Sequence, residues 1–339
     1  MILRVLSVLL LIVPSLLALG PSPAAADDTT TMAEGRARSE AFLRGDIASI
    51  WRDMTAEMRA ALGSAEKLGA LRTELAEALG EEREVTDEKT SSETGFDVYL
   101  RTGSWSKSPT PIMMQWTFDT ERKIAGFFVR PAPLAADSRF LDYQTRAALR
   151  LPFDGEWYVF WGGRTLEQNY HAANTAQRFA YDLVVREHGA THRGEADRLE
   201  NYFCWDRPIL APADATVVAA TGDLPDQPIG GSDPRRPAGN HVVLDLGRGE
   251  FAFLAHMRHG SITVQAGDTV KAGQELGRCG NSGNTSEPHL HFHLQTTSDL
   301  AAGEGLPAFF ESFVADGKQM RHAELLQGQT VSPDEARAR

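Results

Sequence analysis

All ten histidines of the chain fall after residue 170. Three of them, His289, His291 and His293, alternate with Leu290, Phe292 and Leu294 in the run PHLHFHLQ. Alternate side chains of a β-strand share a face, so this spacing predicts a strand with one apolar face and one imidazole face. The apolar face explains itself as core. The other face does not need imidazoles to be solvated, because Thr, Ser or charged residues would serve equally well. Histidines two apart on a strand can ligate one metal ion, or can set a metal ligand beside a general base. The alternative is a His-rich strand face with no chemistry at all.

The segments around this run add context. PILAPADATVV, GNHVVLDLG, FAFLAHM and GDTVKAGQELG precede GNSGNTSEPHLHF in that order. This ordered set resembles the lysostaphin/LytM-type family of zinc metallopeptidases, which cleave peptide cross-links of bacterial cell walls. The resemblance runs from about Trp157 to Gln295. It implies that the second histidine of H-x-H is a metal ligand and the first a catalytic group, here His291 and His289. The histidine of FAFLAHM, His256, takes the position of the other catalytic imidazole.

The family supplies its two remaining ligands as H-x-x-x-D, and here the sequence departs. RFAYD keeps Asp182 but has Arg178 at the histidine position. His171, upstream in NYHAANTAQRFAYDL, is expected to join Asp182 as a ligand across a lengthened loop. That form is similar to an exported branch of the family with an N-x-H then Q-R-[FY]-A-x-D pattern. The competitor is His192 with Asp197 in HRGEAD. Its one-residue insertion would put the two side chains on opposite faces of a strand unless a bulge intervened. His293 sits where relatives often carry an acidic residue, a place to orient a ligand or line a groove. His188, His241, His259 and His322, like His192, read as surface or supporting groups.

The resemblance thus implies one Zn2+ per chain on His171, Asp182 and His291, with His256 and His289 moving protons. It also implies a cell-wall peptide, in peptidoglycan, as substrate. A member that had lost catalysis and instead activates a cell-wall amidase is the other reading, and the irregular first ligand motif is what favours it.

These residues need a scaffold. EWYVFWGG, PILAPADATVVAA, NHVVLDLG, EFAFLAHM, TVKAGQELG and PHLHFHLQ are strand-like, with turn residues between them. A mostly antiparallel β domain is therefore expected over 153–315, with a C-terminal tail over 316–339 that ends in a frayed EARAR. Upstream, residues 33–80 place apolar residues three and four apart, as helices do. GFDVYLRTG, PIMMQWTFD and KIAGFFVRP then switch to period two. The expectation is a small α+β accessory domain over 30–131 and a Pro/Ala-containing linker over 132–152. The accessory domain shows no polar constellation of its own.

Composition bounds the rest. Of 339 residues, 42% are hydrophobic and 24% charged, which suits a folded protein of about two domains and excludes a mainly disordered chain. The net charge of −12 opposes binding to phosphate backbones or anionic membranes. Residues 1–26 read as a signal peptide, with Arg4, an apolar run from Val5 to Leu19, and PSPAAA before Asp27. The protein is therefore expected outside the cytoplasm, periplasmic or extracellular. In an oxidising compartment Cys204 and Cys279 can pair, and unpaired they would be two buried small hydrophobes.

Overall fold

The computed structural model describes residues 28–93 and 95–334. The signal peptide read over 1–26 and the closing EARAR lie outside the described residues. No helix among those described is long and apolar enough to cross a membrane. The chain divides after Ala132 into two compact units.

The first unit begins with four helices, α1 (Asp28–Arg44), α2 (Ile47–Asp53), α3 (Ala56–Leu62) and α4 (Ala65–Leu79). Three of them start at a side chain that accepts from a backbone N–H of the first turn: Asp46, Thr55 and Ser64. Such caps satisfy donors that have no partner inside the helix. A four-stranded antiparallel meander follows, made of β1 (Glu82–Glu93), β2 (Phe96–Trp105), β3 (Ile112–Asp119) and β4 (Ile124–Pro131). Phe42, Ile50, Tyr99, Trp116 and Phe118 fill the core of this unit. The Trp116 indole N–H donates to Ser39 at 2.9 Å inside it. The periodicity signalled β2, β3 and β4 but not β1. That strand, EREVTDEKTSSE, lies at the sheet edge with mostly exposed side chains, so no apolar alternation marks it.

The second unit is almost entirely antiparallel β. Its strands are β5 (Trp157–Trp161), β6 (Tyr181–Val184), β7 (Pro208–Leu210), β8 (Ala215–Thr221), β9 (Asn240–Asp245) and β10 (Phe251–Met257). Then come β11 (Thr269–Val270), β12 (Glu275–Arg278), β13 (Leu290–Gln295), β14 (Gly305–Leu306), β15 (Phe310–Ala315), β16 (Lys318–Ala323) and β17 (Thr330–Pro333). The main sheet runs β11-β8-β9-β10-β13-β6-β5-β17-β15-β16, with β14 added to β13, while β7 and β12 pair separately. β13 is central, flanked by β10 and β6. Leu290, Phe292 and Leu294 enter the core as the alternation predicts.

Two expected boundaries differ from the structure. The segment expected as a linker over 132–152 packs from Pro133 onward as part of the second unit. Leu149 and Leu151 are buried in its core, and Phe140 and Tyr143 pack against it. Glu250, fully buried, accepts from the Tyr143 hydroxyl at 2.8 Å, the Arg146 N–H at 2.7 Å and the Ala147 N–H at 2.8 Å. The segment is held by side-chain hydrogen bonds rather than by a ladder, which is why it carries no periodic signal. The expected tail over 316–339 likewise contributes β16 and β17. KQMRHA, the sequence of β16, is polar because it forms the exposed edge of the sheet.

Cys204 and Cys279 form a disulfide across 75 residues. Around it, the Asp206 N–H donates to the Cys279 carbonyl and the Cys279 N–H to the Arg207 carbonyl. The bridge thus joins the loop after β6 to the strand end that leads to Asn281 and Ser282. A loop of this length implies roughly 4 kcal/mol of stabilisation through chain entropy. Cys204→Ser with Cys279→Ser is expected to destabilise the second unit by about 2–5 kcal/mol, measured by urea denaturation. An unmoved midpoint would show that the bridge is thermodynamically idle.

Candidate metal centre and cleft

Five side chains expected at the site come from four separate places in the second unit. His291 lies on β13 and Asp182 on β6, directly opposite each other in the strand register. His171 comes from a short 3-10 turn, Tyr170–Ala173. His289 immediately precedes β13, and His256 lies near the end of β10. All five are 9% exposed or less. His171, Asp182 and His291 each offer a ligand atom, and those atoms lie within 4.8 Å of one another. His192 and Asp197 are not part of this group. His192 sits in a loop with Nδ1 near the Gly194 carbonyl, and Asp197 is exposed.

Arg178, at the position where the regular motif has histidine, has left the site for a structural task. Its guanidinium donates to the Ala136 and Arg164 carbonyls at 2.9 and 2.8 Å. The 3-10 turn supplies the imidazole in its place.

Hydrogen-bond accounting orients the rings. Asn169 donates through Nδ2 to the Gly163 and Ala180 carbonyls, which turns its Oδ1 toward His171 Nδ1 at 3.0 Å. That bond places the His171 proton on Nδ1, leaving the Nε2 lone pair 3.6 Å from Asp182 Oδ2. His291 Nδ1 stands 2.9 Å from Asp182 Oδ1, and its Nε2 stands 3.0 Å from His293 Nδ1. Burial pushes the His171 imidazole down to about 4, so it is neutral near pH 7. Burial alone would raise Asp182, but the surrounding imidazoles of His171, His289 and His291 hold it below the usual carboxylate range. An ionised carboxylate and imidazole lone pairs thus converge in a buried space. Two nitrogens and one oxygen of this kind suit a zinc ion with a position left open.

His256 and His289 are held differently. His256 Nδ1 faces the Ser282 carbonyl at 2.9 Å, and His289 Nδ1 faces the Glu287 carbonyl at 2.8 Å. A carbonyl only accepts, so each ring carries its proton on Nδ1 and keeps Nε2 free. The two ring centroids are 4.6 Å apart, and that of His256 is 5.7 Å from that of His291. Burial, with His289 and His291 nearby, pushes His256 well below the ordinary histidine value.

His256 reaches this position through a bulge. The β9–β10 register shifts between Leu254 and Met257, and His256 has φ +62°. Its N–H donates to the Ala238 carbonyl at 3.1 Å. The two carbonyls that hold His256 are brought together by glycines. A Cβ on Gly283 would lie 2.4 Å from the Gly239 nitrogen, and one on Gly239 would lie 2.2 Å from the Ser282 oxygen.

A cleft of about 830 Å³ opens beside the cluster, lined by Asp182 and His289 together with Phe160, Trp161 and Tyr170. The Gly230–Ser232 loop and the 284–287 turn also line it, with Val184 and Thr191. Tyr170 tilts over His171 with centroids 4.0 Å apart. Burial, the Asp182 charge and a hydrogen bond to that carboxylate raise its phenol, which remains a proton donor at neutral pH. The sequence reading did not single out Tyr170, Asn169 or Gln295 as site residues. Asn169 and Tyr170 carry the signal of standing within two residues of a ligand candidate. Gln295 carries the signal of continuing the 289-291-293 face.

The remaining histidines lie apart from the cluster. His188, His259 and His322 are exposed, and His241 turns Nδ1 to the Gly239 carbonyl at 2.8 Å.

Comparison with known proteins bears on this half of the chain. Residues 203–302 match the family model for peptidase family M23. The match includes His256, His289, His291 and both cysteines, and it begins after His171 and Asp182. An uncharacterized metalloprotease of Haemophilus influenzae is 35% identical over 87 residues, 26% of this chain and 16% of that protein. The peptidoglycan DD-endopeptidase ShyA of Vibrio cholerae is 39% identical over 57 residues, 17% of this chain and 13% of that protein. The chain therefore spans less than a fifth of either curated relative. Among solved structures, the catalytic domain of lysostaphin from Staphylococcus simulans aligns at 18% identity and a TM-score of 0.27. That alignment covers 45% of this chain and 88% of that one. Residues 203–302, within the second unit and including His256, His289 and His291, thus carry the likeness to peptidase family M23.

Proposed function

We propose that the second unit is a zinc-dependent endopeptidase that hydrolyses peptide bonds in peptidoglycan cross-links or stem peptides. One observation carries this reading. Lone pairs of His171, Asp182 and His291 converge within 4.8 Å, beside two imidazoles whose Nε2 atoms are free. His171, Asp182 and His291 hold the metal, and Asp182 contributes the single negative charge among them. Zinc bound there supplies Lewis acidity and makes water nucleophilic at neutral pH.

His256 and His289 move the protons. Anchored through Nδ1, each keeps Nε2 available as a base. One Nε2 takes the proton of the attacking water, and a proton then returns from an imidazole to the leaving amine. The same rings, once protonated, stabilise negative charge developing on the carbonyl oxygen. The aromatic residues Phe160, Trp161 and Tyr170 give the cleft a wall on which an extended peptide can lie. Export to the periplasm or the outside of the cell is supported by the apolar leader pattern and by the disulfide, a bond of oxidising compartments.

Incubation of the purified chain with peptidoglycan, read by mass spectrometry, is expected to release new peptide termini. These should vanish with a chelator and return with zinc. Failure of a folded, zinc-supplied protein to cut would favour the catalytically silent, amidase-activating reading. His291→Ala and Asp182→Ala are expected to lose both zinc and activity. His289→Ala should bind zinc normally and lose turnover by 10²-fold or more. Near-normal turnover in His289→Ala would overturn its role.

The buried neutral rings set a pH dependence in the metal-free protein. His171 titrates near 4 in the folded state and His256 lies well below 6.5, whereas both titrate near 6.5 when unfolded. Below 6.5 the unfolded chain therefore binds more protons than the folded one, and stability falls with pH. Chelated protein should lose unfolding free energy progressively between pH about 6.5 and 4. Denaturation at stepped pH would expose a flat profile if these rings were charged in the fold.

A further inference from the structure

We propose that Gln295 and His293 form a hydrogen-bond relay that decides which nitrogen His291 offers to the metal, keeping the His291 proton on Nε2 and exposing Nδ1. The inference rests on the metal reading above. His291, His293 and Gln295 follow one another on a single face of β13, so the strand's own alternation lines them up.

The relay is fixed from its far end. Gln295 is fully buried, and its amide Nε2 donates to the Thr297 carbonyl at 2.8 Å and the Asp299 carbonyl at 2.7 Å. Both amide hydrogens are thereby used, and Oε1 is turned to His293 Nε2 at 3.3 Å. Gly303 makes room for this arrangement, because a Cβ there would lie 2.6 Å from the Gln295 Cδ.

An amide oxygen can only accept, so His293 carries its hydrogen on Nε2. Its ring is 1% exposed and stacks on Phe253, with centroids 4.7 Å apart and planes 7° apart, which restrains rotation. A neutral His293 therefore presents a bare Nδ1 to His291 Nε2 at 3.0 Å. His291 must donate from Nε2, and its remaining lone pair, on Nδ1, faces Asp182.

Every member of this relay is uncharged. Metal-ligating histidines commonly give their second N–H to a carboxylate, a backbone carbonyl or water. A carboxylate at position 293 would orient His291 equally well but would add negative charge beside the ion. The imidazole–amide relay orients the ligand without doing so, leaving Asp182 as the single anion of the cluster.

The test uses the full chain with zinc alone as the probe. Zinc affinity is measured by competition with a chromophoric chelator, and the histidine ring nitrogens of the zinc-loaded protein are read by 15N NMR. In the wild type, His291 should bind zinc through Nδ1 and show a protected Nε2 hydrogen. Gln295→Met and His293→Phe should each weaken zinc binding by about 10–100-fold and expose that hydrogen to exchange. Because both break one relay, the double variant should be no weaker than the weaker single. Should Gln295→Met fail to fold, His293→Phe, which retains a ring against Phe253, decides alone. Unchanged affinity and exchange in a folded variant, additive losses, or ligation through Nε2 would each overturn the relay. A wild-type chain that binds no zinc would overturn the metal reading itself, and the relay with it.

Discussion

Burying an ionised carboxylate costs several kcal/mol unless hydrogen-bond donors or positive charge surround it, and Asp182 is buried with three imidazole nitrogens within 3.6 Å. Those nitrogens face it with lone pairs, so the demand is left for a cation to meet, and much of the second unit serves to hold that arrangement. β6 and β13 are paired so that Asp182 faces His291. The 3-10 turn replaces a simple strand residue so that His171 can approach from another direction. Asn169, Ser282 and Glu287 each occupy one ring nitrogen of a neighbouring histidine, so that ring's other lone pair is left for the site. The result is a pocket whose atoms repel one another when bare and attract a cation strongly. A fold that only had to be stable would not collect such groups, since apolar residues of similar volume would pack there at lower cost.

The extent to which this was legible from residues alone varies with the kind of signal. β13 was readable because its period-two alternation separates core from imidazoles residue by residue. His256 was recognisable only from the order of the strands around it, since an isolated histidine after an apolar run has many ordinary explanations. His171 was harder, because a turn rather than a strand supplies it and no fixed spacing to Asp182 follows. The 133–152 segment and β16 were misread for a common reason. Both are held by side-chain hydrogen bonds or by an exposed edge, and neither arrangement leaves a hydrophobic period. Glu250 is the clearest instance. Its carboxylate organises Tyr143, Arg146 and Ala147 from more than a hundred residues away, a relation that local patterns cannot express.

The first unit makes an instructive contrast. Its helices are capped at Asp46, Thr55 and Ser64 and its sheet closes on Phe42, Trp116 and Phe118, so local signals and tertiary packing agree. Consistency of this kind marks a stretch of chain shaped mainly by folding. The second unit breaks local preference at the residues assigned to chemistry: imidazoles buried around one carboxylate, a bulge in β10, glycines pressed backbone to backbone.

The left-handed backbone at His256 has an evolutionary corollary. A non-glycine residue held at φ +62° carries strain on the order of 1–3 kcal/mol, which Gly or Asn would relieve. In any copy of this fold with no chemical task for the side chain here, selection for stability alone would favour that exchange, and the position should drift toward those two residues. Under the proposed function the imidazole is kept at this bulge against that strain, whereas the proposed ligands carry no such backbone cost.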